Sequence, residues 1–88
     1  MKVLVAKILP FKELKFETVK TYILKLPNNK EVRWYDNGRR PLNVKTHIGS
    51  IREVQAGDII DGVAIFDDGF VNYRKCKPNL VNEQLTIL

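Results

Sequence analysis

The sequence predicts an all-β, mostly antiparallel domain: a small five-stranded Greek-key barrel with one short helix between its third and fourth strands. Three observations predict it. Apolar and polar residues alternate in short runs, as they do when successive side chains point to opposite faces of a sheet. The runs are bounded by Gly, Pro, Asn and Asp, the residues that turns need. One segment between the third and fourth runs instead carries helix punctuation. At 88 residues the chain is a single domain, 1–88, with one modest core. Its hydrophobic share of 44% excludes a disordered chain.

The first strand is KVLVAKIL, residues 2–9. Its continuous apolar character predicts a central strand covered on both sides, ended by Pro10. FKELKFE, residues 11–17, reads as a helical turn or a bent connection, and we favour the connection because the run is too short for a stable helix. TVKTYILKL, residues 18–26, is the second strand, with Tyr22, Leu24 and Leu26 on one face and Val19, Thr21, Ile23 and Lys25 on the other. Pro27-Asn28-Asn29 turns the chain into a third strand, Lys30 to Tyr35. Here Val32 and Trp34 share one face, and Glu31, Arg33 and Tyr35 the other.

Asn37 to Lys45 is a loop, broken by Gly38 and Pro41 and rich in cations. Ser50 and Glu53 have the spacing of a helix capping box, and Gly57 would close that helix. Leu42 to Ile48 is alternatively a short strand. DIIDGVAIF, residues 58–66, is the fourth strand, bent at Gly62, and Asp67-Asp68-Gly69 is a hairpin turn. FVNYRKC, residues 70–76, is the fifth strand. Residues 80–88 form a C-terminal tail, with a possible last strand from Gln84 to Leu88.

Charge is unevenly distributed. The net charge is +5, but residues 1–47 hold eleven Lys/Arg against four Asp/Glu, and residues 48–88 hold four against six. A basic half suits a polyanionic partner. No apolar run reaches the roughly 18 residues of a membrane span. The apolar start of the chain is interrupted by Lys7 and lacks a small-residue cleavage site, so we expect a cytoplasmic protein with no membrane partner. The lone Cys76 cannot form an internal disulfide, in keeping with a reducing compartment.

Catalytic and metal chemistry have little material. One Cys and one His cannot build a zinc site without several carboxylates, and GRRP is not a phosphate loop. Asp67 and Asp68 read as turn formers rather than a carboxylate pair. No cofactor, metal or enzymatic activity is expected. Single-stranded nucleic acid is better served: it needs flat rings for bases and cations for phosphates. Tyr22, Trp34, Tyr35, Phe70 and Tyr73 are the candidate rings, with Trp34 equally readable as core and Phe70 more readily read as core or turn packing. Arg33, Arg39, Arg40, Lys45, Arg74 and Lys75 are the candidate phosphate contacts. If the second, third and fifth strands share a surface, these groups interleave on it.

Four pieces between Leu26 and Lys75 carry a resemblance: LPNNKEV before the third strand, the basic loop GRRPLNVK, SIREVQAGDII leading into the fourth, and the late Tyr73-Arg74-Lys75. Together with the element order, this stretch resembles the S1 and bacterial initiation-factor-one class of OB-folds. Tyr22 and Trp34-Tyr35 match part of that family's aromatic pattern. The resemblance implies a barrel that binds single-stranded DNA or RNA on its second and third strands and nearby loops. An SH3-like barrel is the alternative fold. The alternative function is a protein-interaction module, a homodimer or complex subunit working through a sheet edge or the apolar segment Gln84 to Leu88.

Overall fold

A computed structural model describes residues 1–81. The chain is all-β and mostly antiparallel. Its strands are β1 (Val3–Glu13), β2 (Thr18–Lys25), β3 (Glu31–Asp36), β4 (Asn43–Lys45), β5 (Ile51–Glu53), β6 (Ile59–Asp61) and β7 (Asn79–Leu80). They hydrogen-bond in the order β3-β2-β1-β6-β7-β4-β5, and the β4–β7 pair is parallel. Among the described residues the one helical element is a single 3-10 turn, Tyr73–Lys75. None of their helices is long and apolar enough to cross a membrane. The expected strand from Gln84 to Leu88 lies outside the described residues.

Alternation builds the core. Val3 and Val5 of β1, Tyr22 and Leu24 of β2, and Val32 and Trp34 of β3 are buried, and the residues between them are not. Leu42, Val44, Val54, Ile60, Val63, Val71 and Leu80 join the same cluster. The sheet curls around it so far that β5, last in strand order, reaches β2, second from the other end. Glu53 of β5 accepts a hydrogen bond from the Tyr22 hydroxyl (2.8 Å) and another from Lys20 Nζ (2.7 Å).

Several expectations are corrected. Among the described residues there are seven strands, not five. The segment expected as a helix after Ser50 is β5, the return arm of a β4–β5 hairpin. Its burial has period two: Ile51 and Glu53 are exposed, and Val54 is buried. The Ser50 hydroxyl meets Thr46 Oγ1 (2.8 Å) across the hairpin turn instead of capping a helix. The capping-box glutamate is engaged by Lys20 and Tyr22. β1 is covered on one face only, since Leu4 and Lys7 are exposed. It also runs through Pro10, which sits at a register shift between Leu9 and Lys12. A bulge tolerates proline because the missing N–H is not needed there.

The expected fourth strand stops early at Gly62, whose φ of +87° turns the chain. A Cβ on Gly62 would lie 2.1 Å from the Lys77 carbonyl oxygen, to which the Gly62 region is already laced by the Lys77 N–H donating to Gly62 O (2.8 Å). The expected fifth strand reduces to one bridge, Ile65 with Val71. Beyond it the Cys76 thiol takes the place of a ladder: Sγ accepts from Ala64 N–H (3.2 Å) and donates to Asn72 O (3.2 Å).

Two outcomes follow. Gly62→Ala forces both a left-handed backbone and a backbone collision, and should cost about 2 kcal/mol or more in urea unfolding. Glu53 is held below the ordinary glutamate value of 4.5, first by the Lys20 hydrogen bond, and against partial burial also by Tyr22. A depressed folded pKa contributes stability that is present above the unfolded value and lost as pH falls through the folded one. Unfolding midpoints should therefore drop below about pH 4.5, and Glu53→Gln should flatten that drop by less than about 1 kcal/mol, because the side chain is half in solvent.

Candidate nucleic-acid interface

The β2–β3 register pairs Tyr22 with Trp34, Thr21 with Tyr35 and Ile23 with Arg33. Directly opposed residues share a face, so Tyr22 and Trp34 point inward together while Thr21, Tyr35, Ile23 and Arg33 point outward. β1 shifts register between Val5 and Lys7 and again between Leu9 and Lys12. Those shifts bring Leu9 and Lys12 to the same outward side. The result is a groove of about 620 Å³ over β1, β2 and β3. Leu9, Leu14 and Val19 give it an apolar floor, Tyr35 and Tyr73 its rings, and Lys12, Arg33 and Arg40 its cations.

The turn after β3 aims one of these cations. Asp36 is the third inward residue of β3, after Val32 and Trp34, and is buried. Its Oδ1 accepts from Gly38 N–H (2.7 Å) and Arg40 N–H (3.2 Å). Gly38 supplies the positive φ, +93°, that this tight turn requires. From the other side the Trp34 indole Nε1–H donates to Arg40 O (2.7 Å). The Arg40 backbone is thus clamped, and its guanidinium carbon lies 4.6 Å from the Tyr73 ring centroid. Tyr73 in turn meets Trp34 edge to face (4.9 Å, 80°). Its hydroxyl accepts the Tyr35 N–H (3.0 Å). Trp34, Tyr73 and Arg40 therefore form a column running from core to groove.

The sequence-derived residues divide as follows. Arg33, Tyr35, Arg40 and Tyr73 converge in the groove. Arg39 lines a neighbouring depression of about 510 Å³ with Phe11 and Phe16. Phe70 is exposed rather than core, and borders a smaller cleft, about 220 Å³, next to Arg33 and Tyr35. Tyr22 and Trp34 are corrected: they are 0% and 4% exposed and have no face free for a base. Lys45 lies on β4, separated from β2 and β3 by β1, β6 and β7, and lines none of these three depressions. Arg74 and Lys75 continue the 3-10 turn after Tyr73 and line none of them either.

The sequence reading missed Lys12, the arm of β1 and β2 that carries Phe11 and Phe16, and Asp36 as the organiser of the turn. Asp36 had a signal, since alternation from Val32 and Trp34 places it inward. Lys12 had none, because two register shifts rephase β1 before it.

Electrostatically the groove is open. Among the described residues, Lys12, Arg33, Arg39 and Arg40 make no ion pair, whereas Lys20 pairs with Glu53 and Arg52 with Asp58. The Glu17 carboxylate at the groove edge accepts a hydrogen bond from Asn37 (3.4 Å). No three His, Cys, Asp or Glu side chains among the described residues are placed to share a metal ion. No family model matches the chain, and no curated protein or solved structure matches it.

The column makes Trp34 a reporter of the groove. Tyr73→Ala should expose the indole edge, shift its emission to longer wavelength and cost about 2–3 kcal/mol in unfolding. Tyr35→Ala, at a ring 45% exposed, should leave the emission unchanged and cost less than about 1 kcal/mol.

Proposed function

We propose that this protein binds single-stranded DNA or RNA without catalysis, through the groove over β1, β2 and β3. The observation that carries the reading is the meeting of the exposed Tyr35 ring with three cations that no carboxylate among the described residues neutralises. A base stacks on a flat ring, and a phosphate seeks an unpaired cation. A duplex keeps its base faces covered, so only an unpaired strand uses both. Ring faces accept any base, so sequence preference is low. The curl that brings Glu53 to Tyr22 fits closure into a small barrel of the OB type, the architecture for which such a groove is the expected binding face. The lone thiol and basic charge fit a cytoplasmic protein.

Protein interaction is the second reading. It is favoured by the end position of β3 in the sheet and by the exposed Phe70 beside it.

Fluorescence anisotropy of a labelled oligothymidylate and an oligouridylate across a salt series tests the first reading. Affinity should fall with salt, and Arg33→Ala with Arg40→Ala should flatten the log–log slope by about 1.4, the contribution of two phosphate contacts. Tyr35→Ala should cost about 1–3 kcal/mol of binding at every salt concentration. Absence of binding at low salt rejects the reading in favour of the protein-interaction module.

A further inference from the structure

Arg39 and Arg40 are adjacent in sequence and line different depressions. Arg40 enters the main groove, and Arg39 enters the depression with Phe11, Phe16 and Gly38. The two hollows share Glu17 and Asn37, whose side chains hydrogen-bond to each other. That contact is a ridge between them, and it ties the β1–β2 arm to the turn after β3. The arm stands clear of the core: residues 10–18 are all exposed, Phe16 at 90% and Phe11 at 61%.

Two phenylalanines at such exposure contribute almost nothing to the folded state through burial. Their surroundings are those of a cationic aromatic platform. Lys15 Nζ lies 5.5 Å from the Phe16 centroid, Lys20 Nζ lies 5.4 Å from the Phe11 centroid, and Arg39 is unpaired among the described residues. The chemistry of the main groove, a flat ring beside a free cation, is therefore repeated across the ridge.

We infer that the second depression is a further binding site for the same strand, which crosses the Glu17–Asn37 ridge, stacks a base on Phe11 or Phe16 and sets a phosphate against Arg39. The inference rests on the proposed single-strand reading and extends it to a two-part footprint. A polymer that occupies one hollow reaches the other at high effective concentration, so even a weak second site lengthens residence.

The test compares oligothymidylates of about 4 and about 12 nucleotides, one at the short end and one well inside the range one such module covers. The long strand should bind the unaltered protein more tightly than the short one. Phe11→Ala with Phe16→Ala should weaken the long strand at least about fivefold, the loss of one stacked base, and leave the short strand unchanged. Arg39→Ala should reduce the salt slope by about 0.7 for the long strand alone. Tyr35→Ala should weaken both lengths. Unchanged Trp34 emission in the arm variants checks that the fold is intact. Arm variants that weaken neither length, or both equally, overturn the two-part footprint while leaving the main groove standing. Failure of both lengths to bind the unaltered protein at low salt overturns the underlying reading, and the footprint with it.

Discussion

A buried phenol dictates the shape of this small sheet. Tyr22 is the largest fully buried side chain among the described residues, and its hydroxyl cannot be left without a partner in an apolar interior. Burial and the neighbouring Glu53 both push its pKa up, so it stays a donor throughout the range in which the protein is folded. The acceptor it finds, Glu53, comes from the opposite end of the sheet. Glu53 is in turn held by Lys20, two residues before Tyr22 on β2. The sheet satisfies this three-way contact only by curling, and the curl presents the other face of β1, β2 and β3 as a groove.

The groove is supported from behind by the same alternation. Two of the three inward residues of β3 each hold a residue of the groove. Trp34 braces Tyr73 and holds the Arg40 carbonyl, and Asp36 holds the Arg40 N–H. A cation fixed in this way loses little conformational freedom when an anion arrives, which is how preorganisation strengthens binding without adding contacts. The Tyr73 ring already carries the Arg40 guanidinium on its face. Tyr35, 45% exposed, carries none.

Alternation is also what made part of this legible from sequence. The first three strands, the Pro27–Asn29 turn, the bend at Gly62 and the Asp67–Gly69 turn follow from local pattern and turn chemistry, and the structure has them. The same pattern put Trp34 on a face with Val32, opposite Arg33 and Tyr35, and grouped Tyr22 with Leu24 and Leu26 without saying which face of the second strand is inward. Listing all four as one surface mixed two faces of one sheet. The helix expected at Ser50 failed for a different reason. Its capping-box spacing is a local signal, whereas Glu53 is engaged by a tyrosine 31 positions away, and no local pattern reports such a contact. Lys45, Arg74 and Lys75 are candidates by their charge and by the resemblance, and neither says which face of a curled sheet a residue occupies. Residues 11–17 read as a connection because the run is too short for a stable helix and the first strand reads as ending at Pro10. A bulge lets the strand run past it.

The distribution of charge along the chain becomes a distribution in space. Residues 1–42, which hold β1, β2, β3 and the turn that follows, carry ten Lys/Arg against four Asp/Glu. These strands are consecutive in the sheet, so their excess cations lie near one another, and the curl brings Glu53 of the acidic remainder against Lys20 alone of these. Two of the acids that follow, Glu53 and Asp58, are each engaged by a cation, Lys20 and Arg52. Asp58 stays below the usual aspartate range because the Arg52 and Gln55 hydrogen bonds outweigh its partial burial. Acids engaged in this way do little to offset the groove's own charge. Unpaired like charges this close repel one another, and that repulsion is relieved when a polyanion enters and its counterions leave. Under the proposed function, the cost of holding Lys12, Arg33 and Arg40 together in the free protein would be recovered on binding a polyanion, most fully at low salt.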